Sequence, residues 1–340
     1  MKFISFLTKQ GEERLGLYIN EKIIDISTSA EKISLKLPSR ISEFLEGNAK
    51  NREMAKKVEE AFLKGKLKET ETNIRLLSPI PHPPSCRDAY AFRQHVEAAR
   101  KNRGLEMVPE FDQFPIFYYT NHHAIMGEGP IVVEKDHLEQ LDFELEVAIV
   151  IGKKGKNIPA QHAEDHIAGF TIMNDFSARL LQMEEMKLSL GPAKGKDFAT
   201  TLGPWLVTPD ELESKKIKTP FGSKYNLYMK AYHNGKLVSS GNLKDMNWTF
   251  AEIIERAAYG TELFPGDVIG SGTVGTGCYL ELNGTYAREA KEKGTTYIPV
   301  WLKEGDTIEL EVESLGKLKN TIVKSRTDYS ILEKKKMIYA

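Results

Sequence analysis

The densest run of side chains able to do chemistry is Leu141-Asp142-Phe143-Glu144-Leu145-Glu146-Val147-Ala148-Ile149-Val150-Ile151, where acidic and apolar residues alternate before a Gly-Lys turn. With the two-residue period of a strand, Asp142, Glu144 and Glu146 share one face and Phe143, Leu145, Val147 and Ile149 the other. Two readings follow. Either this is an edge strand with a wet acidic face, or neighbouring same-face carboxylates supply hard oxygen ligands to Mg²⁺ or Ca²⁺, whose charge offsets their repulsion. A second acidic position, Asp175, ends the apolar run Phe170-Thr171-Ile172-Met173-Asn174 and precedes a helical pattern, so it either caps that helix or joins a ligand set. Asp88, in Cys86-Arg87-Asp88-Ala89-Tyr90, lies directly after a proline-rich stretch, and spacing alone does not nominate it.

These candidates need a scaffold. At 340 residues the chain has room for a large catalytic domain with a smaller companion. Residues 1-78 read as a small N-terminal β-rich domain, with strands at Lys2 to Leu7, Arg14 to Ile19 and Lys22 to Ile26. A helix follows, with Met54, Val58 and Phe62 four apart on one apolar stripe. The stretch Pro79-Ile80-Pro81-His82-Pro83-Pro84 continues neither a helix nor a central strand and marks the boundary. Residues 79-330 read as the catalytic domain, with strands at Phe143 to Ile151, Gly169 to Asn174, Trp205 to Thr208, Tyr225 to His233, Cys278 to Leu282 and Thr307 to Val312. Residues 331-340 read as a charged tail. Without regular strand-helix alternation, the pattern predicts a mixed, mainly antiparallel α+β architecture.

Composition narrows the partner. A net charge of -1, from 47 basic and 48 acidic residues, gives no electrostatic footprint for nucleic acid or an anionic membrane, so a small molecule is expected. Two distant cysteines, Cys86 and Cys278, imply no disulfide framework, and no segment approaches ~20 uninterrupted apolar residues. The expected location is cytoplasmic. Gly270-Ser271-Gly272-Thr273-Val274-Gly275 fits G-x-G-x-x-G, but the residues from Cys278 to Leu282 read as a strand, so the helix that a dinucleotide site requires is missing from the expectation.

Asp-Phe-Glu-Leu-Glu at 142 to 146, Met-Asn-Asp-Phe-Ser-Ala-Arg at 173 to 179 and Gly-Lys-Asp-Phe-Ala-Thr-Thr-Leu-Gly-Pro-Trp at 195 to 205 together resemble the fumarylacetoacetate hydrolase family. The likeness continues through Gly270-Ser271-Gly272-Thr273 and the segment from Gly305 to Thr321. It implies a β-rich α+β fold: a mixed β-sandwich or roll catalytic domain of the fumarylacetoacetase C-terminal type, behind a small N-terminal β domain. It also implies a cation held by Asp88, Glu144, Glu146 and Asp175, all hard oxygen donors, which favours Mg²⁺, with Ca²⁺ or Mn²⁺ compatible, over zinc.

The resemblance implies further roles. His95 stands at the family's general base, oriented by Glu281, because position 98, where acylpyruvase-like relatives carry the partner glutamate, is alanine. Lys196 matches the lysine facing a developing enolate. Gln182, Arg179, Thr273 and Arg93 (or Arg103) are substrate-binding candidates. The implied reaction is metal-dependent hydrolytic C–C cleavage of a 1,3-dicarbonyl acid such as fumarylacetoacetate or an acylpyruvate, by a homodimer. Alternatives on the same scaffold are a decarboxylase, tautomerase or dehydratase of a 2-oxo acid; a non-catalytic cation-binding protein is the reading from another class. Met186 replaces a tyrosine that binds substrate in fumarylacetoacetases, so the substrate is expected to differ from theirs.

Overall fold

A computed structural model describes residues 1–334. In chain order the elements that frame the site are strands β1 Lys2–Leu7, β2 Glu13–Ile19 and β3 Lys22–Asp25, then helix α1 Asn48–Leu63. Next come β4 Cys86–Ala89, helix α2 Arg93–Lys101, β5 Phe117–Thr120, β6 Gly129–Val133, β7 Leu141–Asp142, β8 Leu145–Ile151 and β9 Ile167–Asp175. Then follow β10 Ser177–Ala178, helix α3 Arg179–Met186, β11 Thr200–Val207, β12 Tyr228–His233 and β13 Lys236–Asn242. Helix α4 Phe250–Ala258, β14 Val268–Gly270, helix α5 Tyr279–Glu292, β15 Thr307–Val312 and β16 Gly316–Lys324 complete the frame.

One large sheet runs β3-β2-β1-β11-β9-β8-β14-β4-β5, and a five-stranded sheet runs β13-β12-β15-β16-β6. The expected β-rich α+β class is what forms. The N-terminal strands continue the large sheet, because β1 pairs antiparallel with β11 through Lys2 opposite Val207 and Phe3 opposite Leu206. Two apolar cores lie on the two faces of this sheet. Leu145, Val147, Ile149 and Ile151 of β8 point into one, with Phe170, Phe250, Leu310 and Leu318; Ala148 and Val150 point into the other, with Phe3, Leu17, Val58 and Leu202. On α1 the buried stripe is Asn51, Ala55 and Val58, with Met54 and Phe62 half-buried at its margins.

The acidic strand is therefore no edge. β8 lies between β9 and β14, and Asp142, Glu144 and Glu146 are all buried, at 0%, 6% and 0% exposure. It also starts later than its alternation predicts. The Phe143 N–H donates to the Asp142 carboxylate and the Glu144 N–H to the Asn174 side chain, so side-chain acceptors replace ladder bonds until Leu145.

The expected strand from Cys278 to Leu282 is instead the start of helix α5. Five residues cannot separate a two-residue period from a helical one, and Tyr279, Leu282 and Tyr286 recur at helical spacing. Strand β14, a turn and α5 thus supply the context that the glycine motif was expected to lack. The amides that follow the motif are taken from within: the Asp142 carboxylate accepts from Tyr279 N–H (2.7 Å) and Leu280 N–H (2.9 Å), and Glu281 from Thr276 N–H (2.9 Å). The N-terminus of α5 is thus already capped by a carboxylate of the protein itself. The expected tail enters the described residues only as the short turn Leu332–Lys334; positions 335–340 lie outside them. No helix among the described residues is long and apolar enough to cross a membrane.

Candidate functional site

Asp88 ends up beside Glu146 because β4 runs parallel to β14, with Asp88 opposite Gly270, and β14 runs antiparallel to β8. Gly270 is what allows this approach. A Cβ there would stand 2.4 Å from Asp88 Oδ1 and 3.0 Å from Glu146 Oε2. Asp88, Glu144 and Glu146 each offer an oxygen within 4.8 Å of the others, all three buried. Gly272, at φ +79°, donates its N–H to Asp88 Oδ1 at 3.1 Å, and Thr273 Oγ1 donates to Glu146 Oε1 at 3.4 Å.

Two buried cations flank one side of this triad. Lys196 Nζ donates to Glu144 Oε2 at 2.6 Å and to Asp175 Oδ2 at 2.8 Å. Arg179 donates from Nη2 to Glu144 Oε1 (2.7 Å), from Nε to Asp142 Oδ2 (2.8 Å) and from Nη1 to Gln182 Oε1 (2.9 Å). Asp175 is thereby drawn to the lysine and is no member of the triad; it also accepts from Tyr118 and from Thr200 Oγ1. Arg179 thus ties Gln182, Asp142 and Glu144 together, and its buried guanidinium is directed at these protein groups. Arg93 stays outside this assembly, at the surface, bonded to Asp112 and Glu97.

The environments split the carboxylates. Burial works against ionised Glu144, but Lys196 and Arg179 outweigh it and hold its pKa down at about 2. Burial followed by the Asp175 charge pushes Asp88 up to about 7, and burial followed by Asp88 and Glu144 pushes Glu146 well above the usual carboxylate range. Burial also opposes the Lys196 ammonium, yet Asp175 and Glu144 raise its pKa above the ordinary lysine value. Asp88 and Glu146 have no cation of their own, and Glu146 Oε2 is buried with no hydrogen-bond partner. An oxygen-only donor set, an orphaned carboxylate oxygen and a pocket that a single Cβ would fill fit a hard divalent cation.

A second unit lies alongside. His95, in the first turn of α2, and Glu281, in the first turn of α5, meet across 186 residues: His95 Nδ1 is 2.6 Å from Glu281 Oε2. Asn102 binds the two helices by donating to the Glu281 carbonyl at 3.0 Å. With Nδ1–H donating to the carboxylate, Nε2 carries the free lone pair. Tyr90 packs edge-on against the imidazole, ring centroids 5.9 Å apart. Sequence reasoning missed Tyr118, Asn174, Thr200 and Gly270 as site residues. Asn174 and Thr200 lie inside the quoted motifs; Tyr118 sits on an aromatic strand with no signal of its own.

The sequence profile of the fumarylacetoacetate (FAA) hydrolase C-terminal domain matches residues 85–323, and the chain belongs to that family of enzymes. Among curated proteins it is 30% identical to oxaloacetate tautomerase YisK of Bacillus subtilis, over 91% of this chain and 95% of that one. It is 29% identical to the mitochondrial oxaloacetate tautomerase fahd2 of Xenopus laevis, over 95% and 90%. Among solved structures it resembles fumarylacetoacetate hydrolase from Exiguobacterium antarcticum, with TM-score 0.65 and 23% identity over 96% of this chain and all of that one. Maleylpyruvate hydrolase from Sphingobium is similar in fold, with TM-score 0.66 and 20% identity over the same shares.

Proposed function

We propose that this protein is a divalent-cation-dependent tautomerase that interconverts the keto and enol forms of a small 2-oxo dicarboxylic acid, with oxaloacetate the leading candidate. The observation that carries the reading is a buried His–Glu pair beside a carboxylate triad, in a chain matched almost end to end by relatives named oxaloacetate tautomerases. This places the alternative drawn from the sequence ahead of C–C hydrolysis.

Asp88, Glu144 and Glu146 would hold the cation, with Asp175 keeping Lys196 in place beside it. When bound, the cation supplies Lewis acidity and a template for the 2-oxo acid oxygens. The chain's own groups do the proton work. His95 Nε2 takes a proton from the carbon next to the ketone, and Glu281 stabilises the imidazolium formed while fixing the tautomer through Nδ1. Negative charge moves to the ketone oxygen. Lys196, held protonated by two carboxylates, faces that charge as a fixed positive group rather than as a proton donor. The imidazolium then returns its proton to oxygen, giving the enol; the reverse steps give the ketone. Tyr90 shields the imidazole from solvent.

The His95–Glu281 pair also favours a second reading, since the same base could activate water for hydrolytic cleavage of a 1,3-dicarbonyl acid. One experiment separates the two: decay of enol absorbance with oxaloacetate, against product formation from an acylpyruvate and fumarylacetoacetate, each with Mg²⁺ and with EDTA. Mg²⁺-dependent acceleration of enol decay without acid products supports the tautomerase. Cleavage of either dicarbonyl at a higher kcat/KM reverses the order, and inertness toward every substrate removes both.

A further inference from the structure

Asp142 belongs to the acidic strand motif but touches neither the triad nor the dyad, and it is fully buried at 0% exposure. Its carboxylate is saturated. Oδ1 accepts from Phe143 N–H (2.9 Å) and Tyr279 N–H (2.7 Å), while Oδ2 accepts from Leu280 N–H (2.9 Å) and Arg179 Nε (2.8 Å). Each partner leads to one half of the site. Arg179 goes on to Glu144 Oε1 at 2.7 Å. Tyr279 and Leu280 are the two residues before Glu281, whose oxygens are taken by Thr276 N–H (2.9 Å) and His95 Nδ1 (2.6 Å). Charge-assisted bonds therefore run from Glu144 through Arg179 to Asp142 and on to the first amides of α5, and the backbone of that turn carries the link to Glu281 and its bond with His95.

We propose that Asp142 is a positioning residue that couples the cation-binding carboxylates to the proton-transfer pair, so that one atom group sets both the charge beside Glu144 and the seat of Glu281. The proposal rests on the assignment of Glu144 to the cation and of His95 and Glu281 to proton transfer. Two physical effects act through it. Asp142 shares the Arg179 charge with Glu144, leaving Glu144 oxygens able to meet a second cation; without it the guanidinium pairs with Glu144 alone and competes. The carboxylate also accepts two amides at the N-terminus of α5, where a negative charge is favoured. A neutral amide can accept only on its oxygen, and its NH₂ would face an amide donor, shifting the first turn that carries Glu281.

The test is Asp142→Asn in the full chain, with Mg²⁺ binding followed by calorimetry and oxaloacetate tautomerisation followed by enol absorbance, both below the variant's Tm. Expected are a Mg²⁺ Kd raised about tenfold and a kcat at saturating Mg²⁺ lowered about a hundredfold, with KM within threefold. A residue that merely held the fold would lower Tm and leave both values in place. Mg²⁺ affinity and kcat each within twofold of the parent overturn the coupling, and so does a change in only one of them. Arg179→Lys keeps the positive charge beside Glu144 but cannot span both carboxylates; it is read by the same two values if Asp142→Asn does not fold. A parent chain that binds no Mg²⁺ overturns the functional reading and the coupling with it. A parent that binds Mg²⁺, beside variants that behave like it, overturns the coupling alone.

Discussion

Replacing Glu146 by Gln should change metal-free stability little and abolish stabilisation by Mg²⁺. Glu146 is buried, its pKa is raised well above the usual range by burial and then by Asp88 and Glu144, and its Oε2 has no partner. Without a cation the protonated form is therefore favoured, and glutamine copies that form. Asp88 sets the pH dependence. Its pKa rises from 3.8 to about 7, so between these values the folded state holds a proton that the unfolded chain has released. Folded stability without metal then falls as pH rises through that window, by ~4 kcal/mol once pH exceeds both values. Mg²⁺ at a hundredfold excess over Kd returns ~2.7 kcal/mol. For a chain of this size that is a rise of about 4 °C in Tm. The assay is thermal unfolding at pH 5, 7 and 8, in EDTA and in saturating Mg²⁺. Parent and Glu146→Gln should unfold within ~1 kcal/mol of each other in EDTA at pH 7, and only the parent should gain from Mg²⁺, more at pH 8 than at pH 5. A variant that loses several kcal/mol in EDTA, or that keeps the full Mg²⁺ increment, refutes the assignment.

His95→Asn should lower tautomerase kcat by about a thousandfold while leaving Mg²⁺ affinity within threefold, as calorimetry would record; unchanged turnover removes His95 as the base. Gly270→Ala places a methyl 2.4 Å from Asp88 Oδ1 in a strand of ordinary backbone geometry, so the variant should fold and bind Mg²⁺ at least tenfold more weakly. Equal affinity by titration would mean that the cation sits elsewhere.

Glu144 and Glu146 were legible as same-face carboxylates by simple alternation, and Asp88 and Asp175 were nominated by the family resemblance; the structure gathers Asp88 with the two glutamates and leaves Asp175 on Lys196. Their burial was not legible. An alternating acidic strand looks the same whether it lines an edge or a sheet centre, and only pairing with β9 and β14 decides. The start of α5 failed for a related reason, because the carboxylate that caps it belongs to Asp142, 137 residues earlier than Tyr279. Local signals for a helix start look within a turn of the cap. Arg179 and Lys196 were identified as site residues, but the sequence holds no sign that several acids would claim them. Arg179 thereby shapes the carboxylates, and Lys196 lies between two of them.

That arrangement has a chemical consequence. The two cations on its flanks favour the ionised form of Glu144, whereas burial and neighbouring acids favour the protonated forms of Asp88 and Glu146, so a cation entering there would compete with protons. Under the proposed cation assignment, the same burial makes filling of the site proton-coupled, with the Asp88 transition at about 7. On that assignment Glu144 would be the constant anchor and the Asp88–Glu146 side the adjustable one. A more acidic medium should empty the site from that side first, before Lys196 or Arg179 loses its hold on Glu144.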